Sequence, residues 1–435
     1  MCRSVPHARR PGSASPAALE PLRRKGYRLL WLSAFLWYFA RWMDILVAGW
    51  LALELTNSPL HVALIGFYRN APVPIFGAFA GAIADRLDRR LLVIAAEVAN
   101  VAATLSVAVL LLVGRLEYWH LAAANLLLGL AWSVEWPSRR AMVPDLAGRG
   151  LLLPALVLDT MSMNVTKVLG PLVGGGLLAA LSLPGCYVLL TLVYSAALVP
   201  LLALHLPANG ARPRAAPAFR FVAEGLSFCH KHQPVRGVLL VTMLMNCFVF
   251  PYQQLLSVFA RDVLQVGPLG LGLLGAGDGI GSLVGATALV TSGRFRRQGW
   301  AFVLGSVGMC AAILVFATSP VYAVSLAFLI LGGVGHSGFS TFQSAIILGT
   351  VGDALRGRAM GVLTLAIGSS PLGMLLMGGI SALLSAPWAV GLSSVVGGAL
   401  IAGTAAATPG LLAHEAAPAR PAASGSTGRP AVTSH

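Results

Sequence analysis

The stretch Gly81-Ala82-Ile83-Ala84-Asp85-Arg86-Leu87-Asp88-Arg89-Arg90 carries five charges in its last six residues. Each side of it is flanked by an apolar run of about 20 residues, enough for a helix to cross the hydrocarbon of a bilayer. So short a basic link makes the chain leave the membrane and re-enter it at once. The pattern returns 208 residues later, from Arg86 to Arg294, as Arg294-Phe295-Arg296-Arg297. The expectation is a duplicated bundle of membrane helices hung on these two turns.

Composition agrees. The 435 residues are 57% hydrophobic and only 10% charged, against about 25% charged in soluble domains. Twelve apolar spans are expected at roughly 28–54, 60–82, 91–114, 119–138, 154–181, 184–206, 236–260, 268–292, 300–318, 320–349, 359–384 and 388–411. Of the 30 Lys and Arg residues, 25 then fall in the tails and links of one side, and only Arg115 and Arg261 in links of the other. By the positive-inside rule this places both termini in the cytoplasm of a plasma (cell inner) membrane. The net charge of +15 is thus topological; without a basic patch on a soluble fold it does not indicate a nucleic-acid partner. Residues 1–27 and 412–435 read as disordered tails, the first without the apolar centre of a cleaved signal. Residues 207–235 form the longest link, whose second part has the pattern of a short amphipathic helix or a plain linker. It separates six spans at 28–206 from six at 236–411. Cys2, Cys186, Cys229, Cys247 and Cys310 lie far apart, without metal or redox spacing.

The halves match at an offset of 208: Arg28 with Arg236, Asn70 with Asp278, Gly77 with Gly285, Glu135 with Gln343, and Val143-Pro144-Asp145 with Val351-Gly352-Asp353. A parallel repeat of six-helix halves is a transporter pattern, with a site at mid-depth between two rocking bundles. At these residues the chain resembles the major facilitator superfamily. Gly81, Asp85, Arg86, Arg89 and Arg90 look like its loop signature, with Asp88 where glycine is common. Gly170-Pro171-Leu172-Val173-Gly174-Gly175 resembles the signature linked to antiporters that export. Leu55-Thr56-Asn57-Ser58-Pro59, Val258-Phe259-Ala260-Arg261-Asp262 and Leu355-Arg356-Gly357-Arg358 are similar to the enterobactin-exporter and macrolide-efflux-like branch. The resemblance covers roughly residues 25–411 and implies an all-α fold of twelve transmembrane helices. One departure bears on mechanism: Asn125 stands four residues before Gly129, where many drug/proton antiporters of the superfamily carry a relay arginine.

Charges inside spans are costly and so mark function by default. Depth at about 1.5 Å per residue places Asp44 and Arg69 level on adjacent antiparallel spans, with Arg41 one turn deeper. Asp278 lies at similar depth in the other half, and Lys167 one turn before the Gly-Pro motif. Asp44 and Asp278 are the leading proton carriers, because burial and a nearby cation pull a carboxylate's proton affinity in opposite directions. A static ion pair is the alternative for each. Glu135 is expected either in a surface i,i+4 pair with Arg139 or against substrate. Glu97 and Asp159 are expected to partner the basic links. His336 reads as a packed neutral ring or a proton group, with Gln343 two turns on. Gly170, Pro171, Gly174 and Gly175 allow close packing and a bend. In the loop, Asp85 faces an unfavourable helix C-terminus and wants a partner in the other half, which would make Gly81, Asp85, Arg86, Arg89 and Arg90 a cytoplasmic gate.

No nucleotide loop, zinc spacing or nucleophile elbow is present, so neither an enzyme nor a cofactor or metal is expected. The ion gradient is left as the energy source, with one proton moving down about 150 mV releasing about 3.5 kcal/mol. The resulting expectation is a monomeric exporter of a small amphipathic or hydrophobic compound (a drug, siderophore or secondary metabolite) by proton antiport. A lysolipid flippase on the same fold is the nearest alternative, ahead of a solute importer or a membrane sensor.

Overall fold

The computed structural model describes residues 17–76, 88–205, 232–292, 297–351 and 356–415. Gly81, Asp85 and Arg86 of the charged link lie outside the described residues, as do Arg294, Arg296, Asp353, nearly all of the central linker, residues 1–16 and residues 416–435; Ala17–Arg23, expected in a disordered tail, instead forms a short helix packed on the bundle. The long elements are all helices. The first six are α1 (Lys25–Thr56), α2 (Pro59–Asn70), α3 (Arg89–Leu112), α4 (Tyr118–Ala147), α5 (Leu152–Ala180) and α6 (Leu183–Leu202). The second six are α7 (Gln233–Val263), α8 (Gly267–Thr291), α9 (Gln298–Thr318), α10 (Tyr322–Thr350), α11 (Arg358–Leu383) and α12 (Ala386–Ala407). Ten of these are long and apolar enough to cross a membrane, and α2 and α4 pack among them.

Local chemistry explains the ends. The Asp88 side chain accepts the Arg90 backbone N–H at 2.8 Å and so caps α3, which gives the loop's departure from glycine a structural use. Asn57 ends α1 in the left-handed conformation (φ 48°), and Pro59 opens α2 as a first-turn proline. One boundary differs from expectation. α4 does not stop at 138 but runs to Ala147, ending at Gly148 (φ 76°). The basic residues Arg139 and Arg140 stay helical because buried carboxylates, Glu135 of α4 itself and Glu97 and Asp159 of neighbouring helices, receive them.

α7 is the irregular member. Pro251 has no N–H to give the Cys247 carbonyl four residues back, and the helix widens over Met245–Val249 and tightens over Phe250–Leu255. Gly373 of α11 lies directly against that carbonyl, where a side chain would have no room. The distortion carries Tyr252, Gln253 and Gln254 to the centre of the bundle.

Within the first six helices α1 packs on α5 and α6, and α3 on α4 and α6; within the second, α10 packs on α8 and α9, and α12 on α9. The two sets meet where α5 faces α8 and α2 faces α11. α7 adds a contact with α1 that bears on the repeat. Gly49 lies against Ser257, and Arg261 donates to the Leu53 carbonyl at 3.2 Å. Both pairs are separated by 208 residues, the offset of the sequence repeat. A residue touches its own repeat only on the axis relating the two halves, so that axis passes between α1 and α7. Leu153, Leu192, Val290, Leu304 and Leu383 point outward and are well exposed, as lipid-facing residues of a membrane bundle must be.

An interfacial charge cluster as candidate functional site

Two sides are distinguished below: a basic side, with Arg89, Arg90 and Arg140, and an opposite side, with Asn57 and Arg261. Between them, at mid-depth, three elements bring charge together. Lys167 of α5 forms an ion pair with Asp278 of α8. His336 of α10 sets its Nδ1 at 3.0 Å from the other oxygen of the same carboxylate. Gln253 of α7 donates to Asp278 at 3.2 Å. Four helices thus converge on one carboxylate that is 3% exposed, and the cation comes from the other half of the molecule. Lys167 also lies 5.6 Å from the ring centre of Trp42, within reach of a cation–π contact. A narrow cleft, lined by Trp42, Leu46, Gln254 and Leu271 among others, opens beside this cluster. Its walls combine an apolar body with a few convergent polar groups, as ligand sites do.

The glycine motif positions Lys167. Gly170 and Gly174 seat α5 on α1: a Cβ on Gly170 would stand 2.7 Å from the Trp42 Cβ. Pro171 and Gly175 face α8, where a Cβ on Gly175 would stand 2.6 Å from the Gly272 Cα. The absence of side chains on two faces of one helix lets α5 serve both sets at once. Toward the opposite side the seal is extended by Gly378 of α11 against Ala63 and Leu60 of α2. Arg261 completes it with Leu53 and, at 3.0 Å, Asn57.

The remaining candidates lie in one set or the other. Asp44 and Arg69 are paired, as their depths predict, and both are buried within the first six helices. Arg41 does not join them; its guanidinium stacks 3.5 Å from the ring centre of Trp132. Gln343 donates to the Thr242 hydroxyl at 2.7 Å, tying α10 to α7. Glu135 does pair with Arg139 at i,i+4, but deep in the bundle rather than at the surface, with Glu135 fully buried. The reason is company: Arg139 also contacts Glu97 at 3.6 Å and Ser33 at 2.9 Å, and Asn100 donates to both glutamates. Asp159 takes Arg140 at 3.8 Å and the Tyr38 hydroxyl at 3.5 Å.

In the charged loop, Arg89 donates to the Ala141 carbonyl at 3.0 Å and Arg90 to the Leu201 and Leu202 carbonyls at the end of α6. Arg90 therefore caps the C-terminal end of α6, where a cation is favoured by the helix dipole, while Arg89 meets the side of α4, with Asp145 at 3.7 Å; both contacts stay within their own half. Gln253 and Asn100 are not marked by the sequence, and Arg261 is marked there only by its side and its motif, not as a contact between the halves. For Arg261 a signal existed, since it is one of only two basic residues in the links of its side; for the two amides there was none.

A profile of the family described as transmembrane secretion effectors matches residues 16–424. The chain belongs to this family of major facilitator transporters. Among its curated relatives, a staphyloferrin A transporter of Staphylococcus aureus is 22% identical over 79% of this chain and 87% of that protein. An enterobactin exporter of Escherichia coli is 24% identical over 80% of this chain and 85% of its own length. Similar solved structures include a POT family transporter bound to a thioalcohol-conjugated peptide (TM-score 0.74, 11% identity, 91% and 99% of the two chains). A bacterial homologue of the human lysosomal transporter Spinster, inward-facing and unoccupied, aligns with TM-score 0.68 at 14% identity over 94% and 100%. At such identities these structures show the shared fold. The protein is thus a multi-pass membrane transporter of small molecules, built on the major facilitator fold.

Proposed function

We propose that this transporter exports an anionic, partly apolar small molecule of the siderophore type across the cytoplasmic membrane in exchange for protons. The observation that carries the reading is the Lys167–Asp278 pair, a buried ion pair whose partners belong to different halves of the molecule. If the halves rock about the central axis, the pair must break and re-form in each cycle. An isolated buried carboxylate is costly, so Asp278, with His336 still beside it in its own half, takes a proton when Lys167 withdraws. Lys167 is then free for an anionic group of the cargo, and the cleft beside Trp42, Leu46 and Leu271 receives its apolar part. The sealed contacts of Gly175 with Gly272 and of Arg261 with Leu53 support a state open toward the basic side. The charge asymmetry supports the cytoplasm as that side. One chain supplies both halves of the site, which fits a monomer. Asp85 and Arg86 are assigned to the gate that closes the cytoplasmic side in the alternate state. The relatives' named cargoes, enterobactin and staphyloferrin A, supply the chemical class.

Inside-out vesicles with an acid interior and a pH-sensitive dye provide the test. Enterobactin, staphyloferrin A, lipophilic drugs and lysolipids are added in turn. Collapse of the gradient by a siderophore through wild type, and not through Asp278→Asn, is expected. Collapse by lipophilic cations alone would remove the anion from the reading. Protein-dependent lysolipid movement without any proton flux would replace it with flipping.

A further inference from the structure

A second group of titratable residues lies wholly inside the first six helices and has no part in the interfacial cluster. Glu97 and Asn100 on α3, Glu135 and Arg139 on α4, and Ser33 on α1 meet in a buried knot in which neither glutamate is measurably exposed. Its charges do not balance: two carboxylates share one guanidinium. The sharing is also unequal. Arg139 contacts Glu135 at 2.6 Å and 2.8 Å through two nitrogens, but reaches Glu97 only at 3.6 Å. Asn100 divides its amide between them, at 3.1 Å and 3.0 Å. The second oxygen of Glu97, Oε1, is buried and accepts no hydrogen bond from any donor among the described residues. A carboxylate in that position would leave a charge unmet in a low-dielectric interior, at a cost that a carboxylic acid avoids.

The knot also has neighbours on both sides. A narrow gap lined by Arg41, Arg69, Asn100 and Tyr194 lies between it and the Asp44–Arg69 pair at mid-depth. A second, lined by Arg139, Asp159 and Tyr27, opens from it toward the basic side. The charged and titratable groups facing Glu97 are Glu135 and Arg139 from α4 and Tyr194 from α6, with Arg41 of α1 and Arg69 of α2 across the gap that Asn100 lines.

From this geometry we infer that Glu97 is a proton-binding site inside the N-terminal half, holding one proton between itself and Glu135 and exchanging it with water on the basic side through the Arg139–Asp159 cleft. On release the Glu97 O–H bond breaks, the proton passes to a water molecule as hydronium, and the carboxylate left behind takes a closer share of Arg139. Because every member of the knot belongs to one half, the site persists whichever way the halves rock. The binding site itself needs no assumption about cargo; only a role in driving export would rest on the transport reading.

The experiment is therefore run without cargo. The full-length protein is reconstituted in lipid, and infrared difference spectra are recorded across a titration from mildly acid to alkaline buffer. Wild type is expected to show a protonated-carboxyl C=O band that persists where surface carboxylates are already ionised. Glu97→Gln, which keeps the shape and the Asn100 contact, is expected to lose it, while Asp44→Asn and Asp278→Asn keep it. Should Glu97→Gln fail to fold, Glu135→Gln serves: Arg139 then passes wholly to Glu97, which ionises, and the band disappears as well. A band absent from wild type, or one surviving in a folded variant of either glutamate, overturns the proposal. Failure of every siderophore to move in vesicles would sink the export reading and leave this result standing.

Discussion

Asp44–Arg69 and Lys167–Asp278 are both buried carboxylate–cation pairs near the middle of the bundle, and composition alone would treat them alike. They differ in what they join. Asp44 and Arg69 sit on consecutive helices of one half, so no rigid-body movement of the halves alters their distance. Lys167 and Asp278 sit on α5 and α8, on opposite sides of the interface, so any such movement does. Buried ion pairs contribute little net stability and are costly to break. The first pair is therefore a fixture of its half, and the second is a contact that can report and drive a change of state.

The contrast can be broken most sharply at Asp278. Asp278→Asn is expected to reduce proton-driven transport in vesicles to background while the purified protein elutes as a folded species; retained coupling would make the interfacial pair as static as the other one. Arg69→Met should act on stability instead, lowering it by about 3–5 kcal/mol because Asp44 is left buried and uncompensated. The double change Asp44→Leu with Arg69→Met should recover most of that loss in thermal melts, and a single variant that melts like wild type would refute the fixture. Gly175→Leu overpacks the seal between α5 and α8, at about 1–3 kcal/mol. It should increase labelling of a cysteine introduced at Gln254, in a background without native cysteines, by an impermeant thiol reagent added from the opposite side. Unchanged labelling would mean that the seal lies elsewhere. The smallest effect is expected from Arg261→Ala, whose cross-half hydrogen bonds are partly exposed. Loss of about 1 kcal/mol would raise the same labelling about fivefold.

Much of this fold could be read from the sequence because its signals are local. Apolar length gives the spans, basic links give the sides, and the offset of 208 reappears as Gly49 against Ser257 and Leu53 against Arg261. The Asp44–Arg69 pair followed from depth alone, since consecutive antiparallel helices fix which residues are level. The pairing of Lys167 with Asp278 did not, because it depends on how α5 and α8 are rotated about their own axes. That rotation is set by glycines on two faces of α5. The depth of Glu135 was misread for a related reason: an i,i+4 spacing says that two residues share a helix face, not whether that face meets solvent. Asn100 and Gln253 gave no sequence signal, as uncharged amides are common in helices and gain meaning only from the carboxylates beside them.

The axial contact between Leu53 and Arg261 has a historical consequence. Had the two halves once been separate copies of a single shorter chain, each residue on the axis would have faced its own twin. An arginine there would have met another arginine at close range, each charge offset only by its own neighbouring carboxylate, as Asp262 offsets Arg261 at 2.7 Å. Fusing the copies into one polypeptide lets the two positions be inherited independently, so that one can remain a leucine offering only its backbone carbonyl while the other becomes the cation that grips it. The latch on this side of the molecule is thus available to a fused chain and closed to a symmetric pair.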